Sequence, residues 1–205
     1  MNKPKEISVI SGKCEEELKE KNSRFIGIAL PVENENEVSS YLKELKKKYY
    51  DATHHCYAYK TLNSEKYSDA GEPSGTAGIR IFNAIEHFNL TNTLVVVVRY
   101  FGGTKLGIGG LGKAYYDAAF KVLDKAAKVS KKLYQKVIIK TDFKYMQNIY
   151  RIFNESGNKI INTNYSDKVD FDCLITIDDF QRIISHLEDA TKGEMELKSL
   201  EMLYF

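Results

Sequence analysis

The spacing of apolar positions changes along the chain, and each change marks an element. Residues 7–11 and 23–30 read as short strands, the second ending near Pro31. Asn34 is followed three residues later by Glu37, the spacing of a capping box. Val38, Tyr41, Leu42 and Leu45 then recur at helical intervals, which predicts an amphipathic helix over 35–49. Residues 53–59 are aromatic and β-branched enough for a strand. A polar loop over 62–75, with Gly71 and Pro73 as breakers, leads to a helix over 76–88. Residues 93–100 carry the unbroken apolar run of a strand buried on both faces. A glycine-rich loop over 101–110 and a helix over 111–127 follow.

The rest of the chain repeats the exercise on a smaller scale. A strand is expected over 133–140, then a helix over 143–155 capped by Asp142 and ended by Gly157. Strands over 159–165 and 169–177 are joined by a hairpin signal, Ser166-Asp167-Lys168. A helix over 179–190 and a strand over 194–204 close the chain. The order is β-α-β-β-α-β, a split-βαβ or ferredoxin-like pattern. The fold class read from these patterns is α+β, with domains over 1–131 and 132–205 and a lysine-rich connector near 130–134.

Composition narrows the class. The 205 residues are 43% hydrophobic and 28% charged, a globular profile. The longest apolar run, 94–98, is far short of the roughly 20 residues of a membrane span. The polar start, residues 1–6, has no signal-peptide core behind it. Three scattered cysteines, Cys14, Cys56 and Cys173, suit neither a disulfide framework nor a zinc site. A cytoplasmic protein without membrane contact is expected. Net charge is only +2, yet residues 1–135 hold 21 basic against 16 acidic side chains, and nine of 13 glycines lie in 71–112. An anionic partner therefore prefers the first part, and function concentrates in its glycine-rich middle.

Three readings compete for residues 99–114. Gly107, Gly109 and Gly112 satisfy GxGxxG, but the strand ends too early and no acidic residue follows at the required distance. Residues 107–114 read GxxxxGKA, one residue from a P-loop, without the hydroxyl that holds magnesium. The third reading is physical. A glycine turn opening a helix presents backbone N–H groups to an anion, flanked by Arg99, Lys105 and Lys113. That phosphate surface comprises Arg99, Gly102, Gly103, Lys105, Gly107, Gly109, Gly110 and Lys113, bordered by His54, His55, Asp69, Glu72, Ser74 and Thr76.

In the loop over 68–76, Asp69 and Glu72 are an acid–base pair on one reading. On the other they bond backbone amides or pair with Arg99, and Ser74 or Thr76 caps the next helix. His54 and His55 are adjacent on a strand, so they face opposite ways and do not share an ion; no metal is expected. Tyr49, Tyr50, Tyr57, Tyr59 and Tyr100 are stacking candidates that read more readily as core.

Residues 54–59 (HHCYAY), 68–78 (SDAGEPSGTAG), 96–111 (VVVRYFGGTKLGIGGL) and 22–25 (NSRF) resemble the signature blocks of the YigZ/IMPACT family, in order and spacing. Ala70 and Lys113 are small departures, standing where a polar residue and Arg are usual. The resemblance implies a first domain similar to domain 2 of ribosomal protein S5, an α/β sandwich. It implies a second domain similar to the ferredoxin-like C-terminal modules of elongation factor G. Eukaryotic members restrain an amino-acid-starvation kinase through its ribosome-associated activator. The expectation is a noncatalytic, translation-associated protein whose partners are RNA, ribosomes or translation factors, with no cofactor. An enzyme acting on a nucleotide or phosphorylated metabolite, and a pure protein-binding module, are the alternatives.

Overall fold

The computed structural model describes residues 3–205; Met1 and Asn2, part of the polar start, lie outside the described residues. Contacts divide the chain into two compact units, Ser8–Ser130 and a second made of the residues up to Ile7 together with Lys131–Phe205. Among the described residues, five α-helices and two antiparallel sheets build them.

The first unit is organised around its most apolar segment. β6 (Thr93–Tyr100) is buried at every position except its last. Alternation sends Val95 and Val97 to one face and Leu94, Val96 and Val98 to the other, so each face needs its own cover. Around it the sheet runs β2 (Cys14–Glu20), β3 (Ser23–Pro31), β6, β4 (His54–Lys60), β5 (Glu65–Ser68). α2 (Gly78–His87) and α3 (Gly107–Lys125) close one face through Ile81, Ile85, Tyr115 and Val122. α1 (Glu35–Lys48) closes the other through Val38 and Leu45. Its capping box forms as the spacing requires: Glu37 N–H donates to Asn34 Oδ1 at 3.1 Å, and Glu33 N–H donates to Glu37 Oε2 at 2.8 Å.

β2 and β5 were not expected, and they are the two edges of this sheet. In β2 only Cys14 and Leu18 are apolar, and both pack on the core from a strand otherwise made of charges. α3 begins earlier than expected, because Gly107, Gly109 and Gly110 form its first turn rather than a loop.

In the second unit the expected order is found: β7 (Lys128–Thr141), α4 (Met146–Ser156), β8 (Lys159–Tyr165), β9 (Val169–Thr176), α5 (Phe180–Thr191), β10 (Met195–Tyr204). β7 lies between β10 and β9, with β8 beyond β9; β1 (Glu6–Ile10) also pairs with β7. Ile149, Phe153, Ile183 and Leu187 of the helices pack on Val137, Ile139, Phe171 and Cys173. Two details differ from expectation. The lysine-rich connector is strand, since Lys132 exchanges both backbone hydrogen bonds with Phe205. Asp142 caps no helix; a single 3-10 turn, Phe143–Tyr145, follows it before α4 starts. Gly157 ends α4 in the left-handed region as expected.

Candidate glycine-rich anion site

The site lies in the first unit, where the end of β6, the loop after β5 and the start of α3 converge. Arg99 near the end of β6 is buried, its side chain 7% exposed, and Nη1 donates to Glu72 Oε1 at 2.5 Å. Glu72 is buried too, with a side chain 4% exposed, and the same oxygen accepts from Tyr115 Oη at 2.8 Å. The Arg99 guanidinium lies between the rings of Phe25 and Phe101, 5.4 and 5.3 Å from their centroids. Its Nε has no hydrogen-bond partner. Arg99 is therefore not the free phosphate clamp expected from sequence. Its charge is largely answered by Glu72, the pairing across the fold that was one reading of the loop.

Asp69 is a fixed element as well. Its carboxylate accepts from the backbone N–H groups of Gly75, Ala77 and Gly78 at 2.8–2.9 Å, and so anchors the entry to α2. Burial pushes its pKa up, but the three backbone bonds outweigh this and hold the carboxyl below its ordinary value. Asp69 and Glu72 thus have separate structural partners and do not form an acid–base pair. Thr76 does not cap with its hydroxyl, which donates to Pro73 O at 2.6 Å; Ser74 is exposed.

His54 Nδ1 donates to Ala70 O at 3.0 Å, leaving Nε2 3.8 Å from Glu72 Oε2. His55 does not border the groove. It points to the opposite face of the sheet, where its Nε2 meets Tyr49 O at 3.1 Å, because neighbours on a strand alternate. Cys56 Sγ lies 2.9 Å from Asp69 O and 3.3 Å from Tyr115 Oη. Burial pushes its thiol up to about 12, so it stays protonated and unreactive at neutral pH. Tyr115, whose phenol burial also pushes up, was not singled out from sequence; it is the one large polar-tipped residue on the buried side of α3 beside Ala114, Ala118 and Ala119.

Above this network lies a cavity of about 370 Å³ lined by Glu72, Arg99, Phe101, Lys105, Gly107 and Ile108 among others. Gly107 takes φ +73° at the entry to α3, and no side chain caps that helix. No acidic residue stands in its first turn. The N–H groups and the positive end of the helix dipole therefore face outward beside Lys105, which has no ion-pair partner among the described residues. Gly102 has a packing role: a Cβ there would sit 2.0 Å from Asn22 O. Gly103 turns the loop at φ +83°. Lys113 departs from expectation, for it pairs with Asp117 one turn on and lies on the other flank of α3. Among the described residues no group of three or more His, Cys, Asp or Glu side chains is placed to hold a metal. Among the described residues no helix is long and apolar enough to cross a membrane.

Residues 21–123, which contain all of these groups, match the Impact N-terminal domain. The chain belongs to the IMPACT family. Its relatives include the IMPACT family member YvyE of Bacillus subtilis (strain 168), 32% identical over 193 residues, covering 93% of this chain and 89% of that protein. The IMPACT family member YigZ of Escherichia coli (strain K12) is 27% identical over 186 residues, covering 88% and 91%. A solved structure titled as a hypothetical protein matches 97% of this chain and 98% of its own, with TM-score 0.68 and 24% identity, a likeness of fold. IMPACT membership accounts for the resemblance of the sequence blocks, and the buried Glu72–Arg99–Tyr115 network gives those blocks a shared structural task.

Proposed function

We propose that this IMPACT protein is a noncatalytic, translation-associated protein that binds RNA, free or in ribosomes, at the glycine-rich entry to α3. The observation that carries the reading is the uncapped helix end of Gly107, Gly109 and Gly110, open to solvent beside the unpaired Lys105. Such an end takes a phosphate on backbone N–H groups, with the dipole and Lys105 adding positive potential. Phe101, 45% exposed, and Ile108, 76% exposed, offer the neighbouring base or ribose an apolar wall. Arg99 supports the floor from within its pair with Glu72 and is not a gripping residue. The reading goes with an S5 domain 2-like first unit and a ferredoxin-like second unit. In support of the latter, the strands run β10-β7-β9-β8 with the core helices packed on the sheet.

The enzyme alternative would use Asp69, Glu72 or a histidine for proton transfer; Asp69 and Glu72 are held by structural partners, which leaves His54, whose Nε2 stands 3.8 Å from Glu72 Oε2, as its candidate. A rise in melting temperature with a nucleoside triphosphate, without RNA binding, would favour it.

The test is fluorescence anisotropy of a labelled single-stranded RNA with wild type and Lys105→Ala at about 50 and about 200 mM salt. Wild-type affinity should fall with salt, and losing one phosphate contact should reduce the log–log slope by about 0.7. Absence of wild-type binding at low salt, or an unchanged slope in Lys105→Ala, would overturn the reading.

A further inference from the structure

We infer that the ligand is a single RNA strand that crosses the start of α3, holding phosphates on both flanks of the glycine turn. The inference rests on the phosphate reading above and extends it to a second cleft.

That cleft, about 350 Å³, is lined by Arg80, Asn83, Gly109, Gly112, Lys113 and Tyr116. Gly107 and Ile108 line the first cavity, so successive residues of one helical turn face the two spaces. Between them the ridge carries Ile108, 76% exposed, with a glycine on either side of it. A Cβ at Gly107 or Gly109 would meet nothing within 4 Å, so the main chain is exposed there. The glycines keep the helix surface low beside Ile108, and a flexible strand bends over it.

Each flank offers the same pair of groups. The first has the unpaired cation Lys105 and the ring of Phe101. The second has Arg80, also without an ion-pair partner among the described residues, and the ring of Tyr116. Lys113 is spent on Asp117, which leaves Arg80 as the available charge there. Arg80 is placed by a missing side chain: a Cβ at Gly112 would sit 3.3 Å from its Nε. Independently of the helix end, Arg99 lines the first cavity with a side chain more than nine-tenths buried and an Nε that no protein group satisfies. One cation and one aromatic ring on each side of the exposed N–H groups match a strand with alternating phosphates and bases. A duplex keeps its phosphates on the outside of a stiff rod and does not dip into two clefts.

The test is anisotropy competition against a labelled oligouridylate of about eight nucleotides, using unlabelled oligomer, a matched duplex and uridine monophosphate. Variants are Lys105→Ala, Arg80→Ala, the double variant and Gly112→Ala. The oligomer should compete far better than duplex or monophosphate. Each single cation variant should weaken binding about fivefold and lower the salt slope by about 0.7, and the double variant should weaken it about 25-fold and lower the slope by about 1.4. Gly112→Ala should weaken binding by displacing Arg80 while the melting temperature stays level or rises, because alanine favours the helix. If Lys105→Ala weakens binding and Arg80→Ala does not, the crossing path is wrong and the phosphate reading stands. If wild type does not bind the oligomer, the phosphate reading itself fails. Equal affinity for duplex overturns the single-strand claim.

Discussion

Replacing Glu72 with alanine should damage the first unit more than any exposed substitution. Glu72 and Arg99 are 4% and 7% exposed in their side chains, so solvent and salt screen them little. Removing the carboxylate leaves the guanidinium buried without its counter-charge, and deprives Tyr115 Oη of its acceptor. Breaking a buried pair from one side costs about 3–5 kcal/mol. For a unit of this size that is a fall of roughly 10–20 °C in melting temperature. Tyr115→Phe, which removes one hydrogen bond and spares the ion pair, should cost about 1–2 kcal/mol. A Glu72→Leu/Arg99→Met double variant should recover most of the loss, because apolar replacements of both partners carry no buried charge. Hydrogen exchange at the β6 amides, followed by mass spectrometry, reads the first unit apart from the second. A Glu72→Ala loss below about 1 kcal/mol would refute the reasoning, since it would mean that Arg99 finds water without cost.

Two further outcomes follow from the structure. Gly102→Ala should destabilise the β2–β3 turn by more than about 1 kcal/mol in urea unfolding, because the new Cβ meets the Asn22 backbone carbonyl rather than a movable side chain. Stability should fall on acidification in two steps. Burial first, with Lys46 and His54 adding to it, holds the His55 imidazole below its ordinary value of 6.5. Its neutral form is thus favoured in the fold, and stability drops as pH goes from that value down through the lowered one. Asp69, held below the ordinary carboxylate range, contributes stability above the unfolded value and loses it at still lower pH. His55→Gln should abolish the first step of a urea midpoint-versus-pH curve and leave the second.

What the sequence revealed and what it hid follow a physical divide. β6 and α1 were legible because burial and capping are local: an unbroken valine run and an Asn–Glu box specify them without distant partners. β2 and β5 were not, because edge strands carry charge on their outer positions and draw their stability from the neighbour they pair with. The glycine-rich stretch was visible, though part of it is the first turn of α3 rather than a loop, and the state of its charges depends on tertiary contacts. Arg99 and Glu72 are 27 positions apart, and Tyr115 and Glu72 are 43 apart, so nothing local showed which charge was spent. Lys105 was among the cations expected, whereas Arg80 stands out only after the pairs of Arg99 and Lys113 are known.

The most direct measurement is the amide NMR spectrum of the isotopically labelled protein during titration with single-stranded RNA at low salt. The account predicts that the largest shifts fall on the N–H groups of Gly107, Gly109 and Gly110, with Lys105 close behind, and that they reverse as salt is raised. RNA binding with those amides unmoved would contradict it, and so would shifts confined to α1 or the second unit.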